Sequence, residues 1–206
     1  ALDRDPARAT RDDYLLGSWA LGRLDRPADA ASLLRKALVR LPGASGLHLN
    51  LGYALARDGH PLEALLEYRY ELANDAADDP YASEARRQFQ DALGRAQATP
   101  QHTVAINHLR GAVLDDADDP AKVLAHLDAL DRAGYRHATL DLLRAEALYA
   151  AQDAEGSERV LRKLLASDPA FIPPYLDLSV ILRAAGKDDE ARRLVGEAVK
   201  RNPNHW

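Results

Sequence analysis

Apolar residues along this chain recur at spacings of three and four, with polar residues filling the intervals. That is the pattern of a helix with one buried face, because 3.6 residues per turn bring positions i, i+3, i+4 and i+7 to the same side. The strict alternation that marks a half-buried strand is missing, and Val, Ile, Phe and Thr are sparse. The pattern predicts helical segments of about 12–14 residues. They are separated by short breaks at Asp25-Arg26-Pro27, Asp58-Gly59-His60-Pro61, Asp78-Asp79-Pro80, Asp118-Asp119-Pro120, Ser167-Asp168-Pro169 and Ala185-Gly186-Lys187. Aspartate before proline reads as a helix start: the carboxylate accepts from the free N–H groups, and proline is tolerated at the first helical position. The fold class read from this is all-α, antiparallel helix hairpins joined by tight turns.

Gly52 lies inside one of these helices, where glycine costs about 0.5–1 kcal/mol relative to alanine. Its acceptance there is explained by repetition. Gly52 and Ala64 return as Ser18 and Ala30, as Ala145 and Ser157, and as Ser179 and Ala191. Leu21, Leu55, Leu114, Leu148 and Leu182 share one large slot; Leu34, Tyr68, Leu127, Leu161 and Val195 share another. Tyr135, Pro169 and Pro203 fall 34 positions apart, and Pro42 holds the equivalent place in the first frame. A generic bundle requires no fixed period, whereas stacked identical units do. Small residues at matched depths let the two helices of a hairpin approach closely, and flanking Leu and Tyr recover in packing what the helix loses in propensity.

The period and its small-residue register resemble the tetratricopeptide repeat family. The signature is carried by Leu51-Gly52, Leu55, Gly59, Ala64 and Tyr68, and again by Tyr175, Leu178-Ser179, Leu182, Gly186, Ala191, Ala198 and Pro203. The resemblance implies an α-solenoid, a right-handed superhelix of helix–turn–helix repeats, running as a single array over 1–206. Repeats are expected at about 11–44, 45–78, 138–171 and 172–205. The frame at 104–137 fits less closely, because Val123 stands where a small residue is usual and Asp118 replaces the turn glycine. One further helix is expected at about 80–98, outside the register. Two readings of it stay open: an unpaired helix acting as a hinge or covering the preceding repeat, or half of a degenerate repeat with 103–116. The opening Ala1-Leu2 and Asp5-Pro6 look like the tail of a preceding repeat, and no polar cap follows Pro203, so the chain is expected to be an excerpt of a longer protein.

Composition narrows the function. Acidic residues (32) outnumber basic ones (27), giving a net charge of −5. Phosphate backbones demand clustered Lys or Arg, so a nucleic-acid partner is not expected. No apolar run approaches the roughly 20 residues that span a bilayer, so membrane insertion is not expected either. The chain has no cysteine, which removes disulfides and thiolate metal sites. A bias toward Arg, Ala, Asp and Leu suggests a GC-rich bacterial source, with cytoplasm and periplasm both open. The histidines at 48, 60, 102, 108, 126, 137 and 205 form no i, i+4 pair and no metalloprotease motif. His102 and His108 are the nearest pair, and six apart on a helix they do not share a face. The acidic runs 75–79 and 115–119 lack the glycine and glutamate of a calcium loop and are read as caps and solvated turns. No catalytic residue, metal site or cofactor is expected.

What remains is a surface. The resemblance implies a concave face lined by the first helix of each repeat, and the family's spacing selects Asp12, Leu15, Trp19 and Arg23, then Leu49, Tyr53 and Arg57 with the neighbouring Asn50. Toward the C-terminus it selects Glu146, Tyr149, Val180 and Arg183. Aromatic residues with arginine nearby are typical binding hot spots. Leu15 and Trp19 occupy the positions where co-chaperone members of the family carry a Lys/Asn carboxylate clamp, so that clamp is not expected. The expected function is a non-catalytic scaffold holding a peptide or extended segment of a protein partner, with other domains of the same chain among the candidates. The alternatives are a docking segment of a longer array in a bacterial envelope or exopolysaccharide export machine, or a regulatory region attached to an enzyme domain.

Overall fold

The helix starts follow the proline signals closely. A computed structural model describes residues 8–74, 76, 78–94 and 100–201, with side chains 100–102 excepted. The opening residues 1–7, the end of the expected extra helix at 95–98, Pro203, His205 and the side chain of His102 lie outside the described residues. Eleven α-helices and no strand occur among those described. Packing divides the chain into two units, residues 1–94 and 95–206.

The first unit holds α1 (Arg11–Arg23), α2 (Pro27–Arg40), α3 (Leu47–Arg57), α4 (Pro61–Asn74) and α5 (Pro80–Gly94). Each helix packs on the next, and α3 also touches α1 and α5. The odd helices therefore form one row, with α2 and α4 behind it. The core is leucine-rich: Leu34, Leu47, Leu51, Leu62, Leu65 and Leu66 are fully buried. Each such side chain contributes about 1.5–3 kcal/mol relative to exposure. The expected extra helix is α5, which buries Ala82, Ala85, Phe89 and Leu93 and packs on α3 and α4.

The second unit begins with α6 (Pro100–Arg110), prolonged by a π-helical turn at Gly111–Asp115. There follow α7 (Pro120–Arg132), α8 (Ala138–Ala150), α9 (Ala154–Ser167), α10 (Pro173–Ala184) and α11 (Asp188–Arg201). Consecutive helices pack on each other, and α8 also touches α10. Ile106, Leu109, Leu127, Leu130, Leu161 and Phe171 fill the centre.

The recurring small residues are all buried: Ser18, Ala30, Gly52, Ala64, Ala145, Ser157, Ser179 and Ala191. Two large-slot and cap expectations need correction. Leu114 is 59% exposed, although it shares a sequence slot with the buried Leu55 and Leu182. The cause is the π turn, where the Asp116 N–H donates to the Gly111 carbonyl five residues back and rotates the following side chains out of register. Aspartate caps the helix as expected at Asp79, which accepts from the N–H groups of Tyr81 and Ala82, and at Asp119, which accepts from Lys122. At 25–27 and 167–169 it does not. Arg26 is the cap residue of α2 and makes no side-chain cap bond, while Pro169 sits in a turn and α10 starts only at Pro173.

Candidate partner-binding groove

The first helix of the first unit is set by its own start signal. Thr10 caps α1: its Oγ1 accepts from the Asp13 N–H at 3.3 Å, and the Asp13 carboxylate accepts the Thr10 N–H at 2.9 Å. This reciprocal box satisfies two otherwise orphaned donors. It also holds the Asp13 carboxyl below its ordinary range. With that start fixed, Tyr14 and Ser18 turn inward, while Leu16 (66%) and Trp19 (62%) stay exposed. An indole this exposed is unusual for a residue that contributes so much apolar area.

Trp19 borders a pocket of about 340 Å³ lined by α1 (Ser18, Trp19, Gly22, Arg23), the start of α2 (Pro27, Ala30) and α3 (Asn50, Tyr53, Ala54, Arg57). That volume falls within the usual ligand-pocket range of about 300–1,000 Å³. Its polar groups are held by their surroundings. The Arg23 guanidinium lies 5.7 Å from the Trp19 ring centroid. Arg57 donates from Nη1 to the Gly22 carbonyl at 2.8 Å and from Nη2 to Asp25 at 3.0 Å, tying the end of α3 to the end of α1. Asn50 donates to the Gly46 carbonyl on its own helix at 2.7 Å. Tyr53 donates its hydroxyl to the Glu84 carboxylate on α5 and packs edge-on against Tyr68 at 5.8 Å. Burial and this bond push the Tyr53 hydroxyl up to about 12. Hydrogen bonds from Arg87 and Tyr53 hold the Glu84 carboxyl down at about 2.

Trp19, Arg23, Asn50, Tyr53 and Arg57 of the expected residues thus meet at one pocket. Leu15 is half-buried on the same helix, and Asp12 is exposed and paired with Arg11 at 2.9 Å. Leu49 is a correction: it is only 3% exposed. Packed by α2, α4, α1 and α5 together, α3 has little free surface at its N-terminal end.

In the second unit a smaller pocket, about 190 Å³, is lined by Glu146 and Tyr149 of α8, Ser157 of α9, and Asp177, Val180 and Ile181 of α10. Tyr149 is 41% and Val180 54% exposed. Arg183 is exposed on α10 but does not line this pocket. Asp177 was not among the residues the spacing selected. Burial raises its carboxyl, with no charged neighbour offsetting the effect.

His48, His108, His126 and His137 make structural contacts. His48 pairs with Glu67 at 2.6 Å and stacks on Tyr70, and His137 caps α8. His108 meets His126, not His102, with the two Nδ1 atoms 3.0 Å apart, and His126 Nε2 lies 3.0 Å from Asp116. Among the described residues no group of three His, Cys, Asp or Glu is arranged to hold a metal ion, and no helix is long and apolar enough to cross a membrane.

An all-α protein of paired helices that buries small residues and presents aromatic-lined pockets belongs to the class of helical-repeat proteins. The tetratricopeptide repeat model matches residues 148–205 of the chain. Proteins built from this repeat generally serve as protein-interaction scaffolds. No curated protein matches the sequence. Among solved structures, MamA 41-end from Desulfovibrio magneticus RS-1 aligns at 18% identity and TM-score 0.41, covering 92% of this chain and 93% of that one. The TPR2AB domain of yeast Sti1 in its pHSP90 complex aligns at 17% identity and TM-score 0.42, over 95% and 79%. A Podosopora anserina kinesin light chain with TPR-like repeats aligns at 14% identity and TM-score 0.41, over 93% of each chain.

Proposed function

We propose that this protein is a non-catalytic scaffold whose repeats, framed at about 11–44, 45–78, 104–137, 138–171 and 172–205, hold an extended segment of a protein partner. The observation that carries this reading is the exposed Trp19 beside a 340 Å³ pocket, with Tyr53 opposite it and arginines at the edge. Buried aromatic anchors supply most of the affinity at such sites, and the surrounding polar groups fix register. Arg57 is already committed to Gly22 and Asp25, so it shapes the wall. Arg23 lies over the indole and is placed to meet a carboxylate that flanks an apolar anchor.

The test is selection of peptides that bind the 206-residue chain from a display library, followed by titration against substituted proteins. Trp19→Ala is expected to weaken the selected peptides by more than tenfold, equivalent to over ~1.4 kcal/mol, with far-ultraviolet dichroism unchanged. Tyr53→Phe keeps the ring and loses only the bond to Glu84, so it is expected to weaken them less. Peptides that bind equally well to wild type, Trp19→Ala and Tyr53→Ala would place the partner elsewhere.

A further inference from the structure

The pocket on α8 and α10 differs in chemistry from the one bordered by Trp19. Its walls are the Tyr149 ring, Val180 and Ile181, and its ionisable groups are two carboxylates, Glu146 and Asp177. No basic residue lines it. Among the described residues no hydrogen bond or ion pair engages Asp177, and no charged group perturbs its carboxyl. A half-buried carboxylate without a partner is unfavourable for folding, because its ionised form gives up water and receives nothing in exchange. Two other partly buried carboxylates are engaged, Glu67 with His48 and Asp116 with His126 and Lys122.

We propose that this pocket receives a cationic side chain, arginine in particular, from a partner segment. The inference deepens the scaffold reading and rests on it, by naming what α8 and α10 recognise. An arginine stem would lie along Val180 and Ile181, as long basic side chains do on apolar surface. Its planar guanidinium would stack on the exposed face of Tyr149 and donate to Asp177, with Glu146 adding negative potential at the rim. An acidic partner is disfavoured, since a third carboxylate would meet two of its own sign.

The experiment uses the full 206-residue chain and the blocked tripeptide acetyl-Gly-Arg-Gly-amide, with the citrulline tripeptide as the uncharged isostere. Nuclear magnetic resonance follows the Tyr149 ring and the Val180 and Ile181 methyl groups. The arginine peptide is expected to give saturable shifts at these groups, the citrulline peptide at least tenfold weaker ones. Asp177→Asn is expected to weaken arginine binding tenfold or more while raising the melting temperature at neutral pH, because it removes a carboxylate whose ionised form opposes folding. Trp19→Ala is the control: it leaves the arginine titration unchanged, so the two readings fail separately. Equal binding of arginine and citrulline peptides, undiminished binding to Asp177→Asn, or the absence of saturable shifts at Tyr149 would each overturn the proposal.

Discussion

At the scale of single residues, Gly52 is the clearest case of a side chain dictated by its neighbour. A Cβ there would lie 2.3 Å from Cε1 and 2.6 Å from Cδ1 of Tyr68, and Tyr68 is only 2% exposed. The ring cannot swing aside, so alanine forces the two helices apart. Overpacking of this kind costs about 1–3 kcal/mol, against about 1 kcal/mol gained in helix propensity. Gly52→Ala is therefore expected to lower stability by about 1 kcal/mol in urea unfolding, and the loss should shrink when Tyr68→Leu is combined with it. An unchanged or raised midpoint would show that the ring relaxes freely. The need for a small residue at 52 was legible because it recurs at 18, 145 and 179. Glu71 was not legible. It is 2% exposed and accepts the backbone N–H groups of Gly46 and of Leu49, the latter at 2.9 Å, so a residue of α4 caps α3. Glu84 beneath Tyr53 and Asp177 beside Tyr149 escaped for the same reason. Glu84 binds Tyr53 of α3 and Asp177 shares a pocket with Tyr149 of α8, and no spacing within one helix announces either arrangement.

At the scale of elements, periodicity located the helices, and proline set most of their starts. It could not reveal the π turn at Gly111–Asp115, which depends on what stands opposite. A Cβ on Gly111 would lie 2.3 Å from His126 Nε2, so the glycine admits the imidazole of α7. That imidazole bridges Asp116 and His108, and Lys122 secures the other oxygen of Asp116 at 3.0 Å. Burial, His126 and Arg132 together lower the His108 imidazole below its ordinary 6.5. The folded protein therefore binds fewer protons here than the unfolded chain does. This contribution to stability is fully present above pH 6.5 and is lost as pH falls from 6.5 through the lowered folded value. The Asp116 carboxyl is lowered by His126 and Lys122, so its contribution acts in the same direction but in the window below 3.8. A plot of melting temperature against pH is expected to fall below 6.5 in the wild type, with a shallower slope between neutral pH and 5 in His108→Gln. Parallel curves for the two proteins would remove His108 as the titrating group.

At the scale of the molecule, contacts run along the sequence. Within each unit consecutive helices pack on each other, and next-but-one contacts such as α1 with α3 or α8 with α10 are added to these. The all-α repeat character was legible because it is written into every frame; the partition into units 1–94 and 95–206 was legible only in part, since unit 1 ends with α5, the helix outside the register, and the sequence left open whether that helix is paired. When contacts are local, stability approximates a sum of repeat and nearest-neighbour terms. A cavity in one unit should then destabilise that unit alone. Leu65 of α4 and Leu161 of α9 are both fully buried, and truncation of such a leucine costs about 2–5 kcal/mol. Leu65→Ala is expected to lower amide protection against hydrogen exchange in α3, α4 and α5 and to leave α8–α10 protected; Leu161→Ala should do the reverse. Amides in core helices exchange through the opening of the cooperative unit that contains them, so the pattern of loss reads out the extent of that unit. Equal loss of protection in α4 and α9 from either substitution would mean that the chain unfolds as one body, and the nearest-neighbour account of its stability would fail.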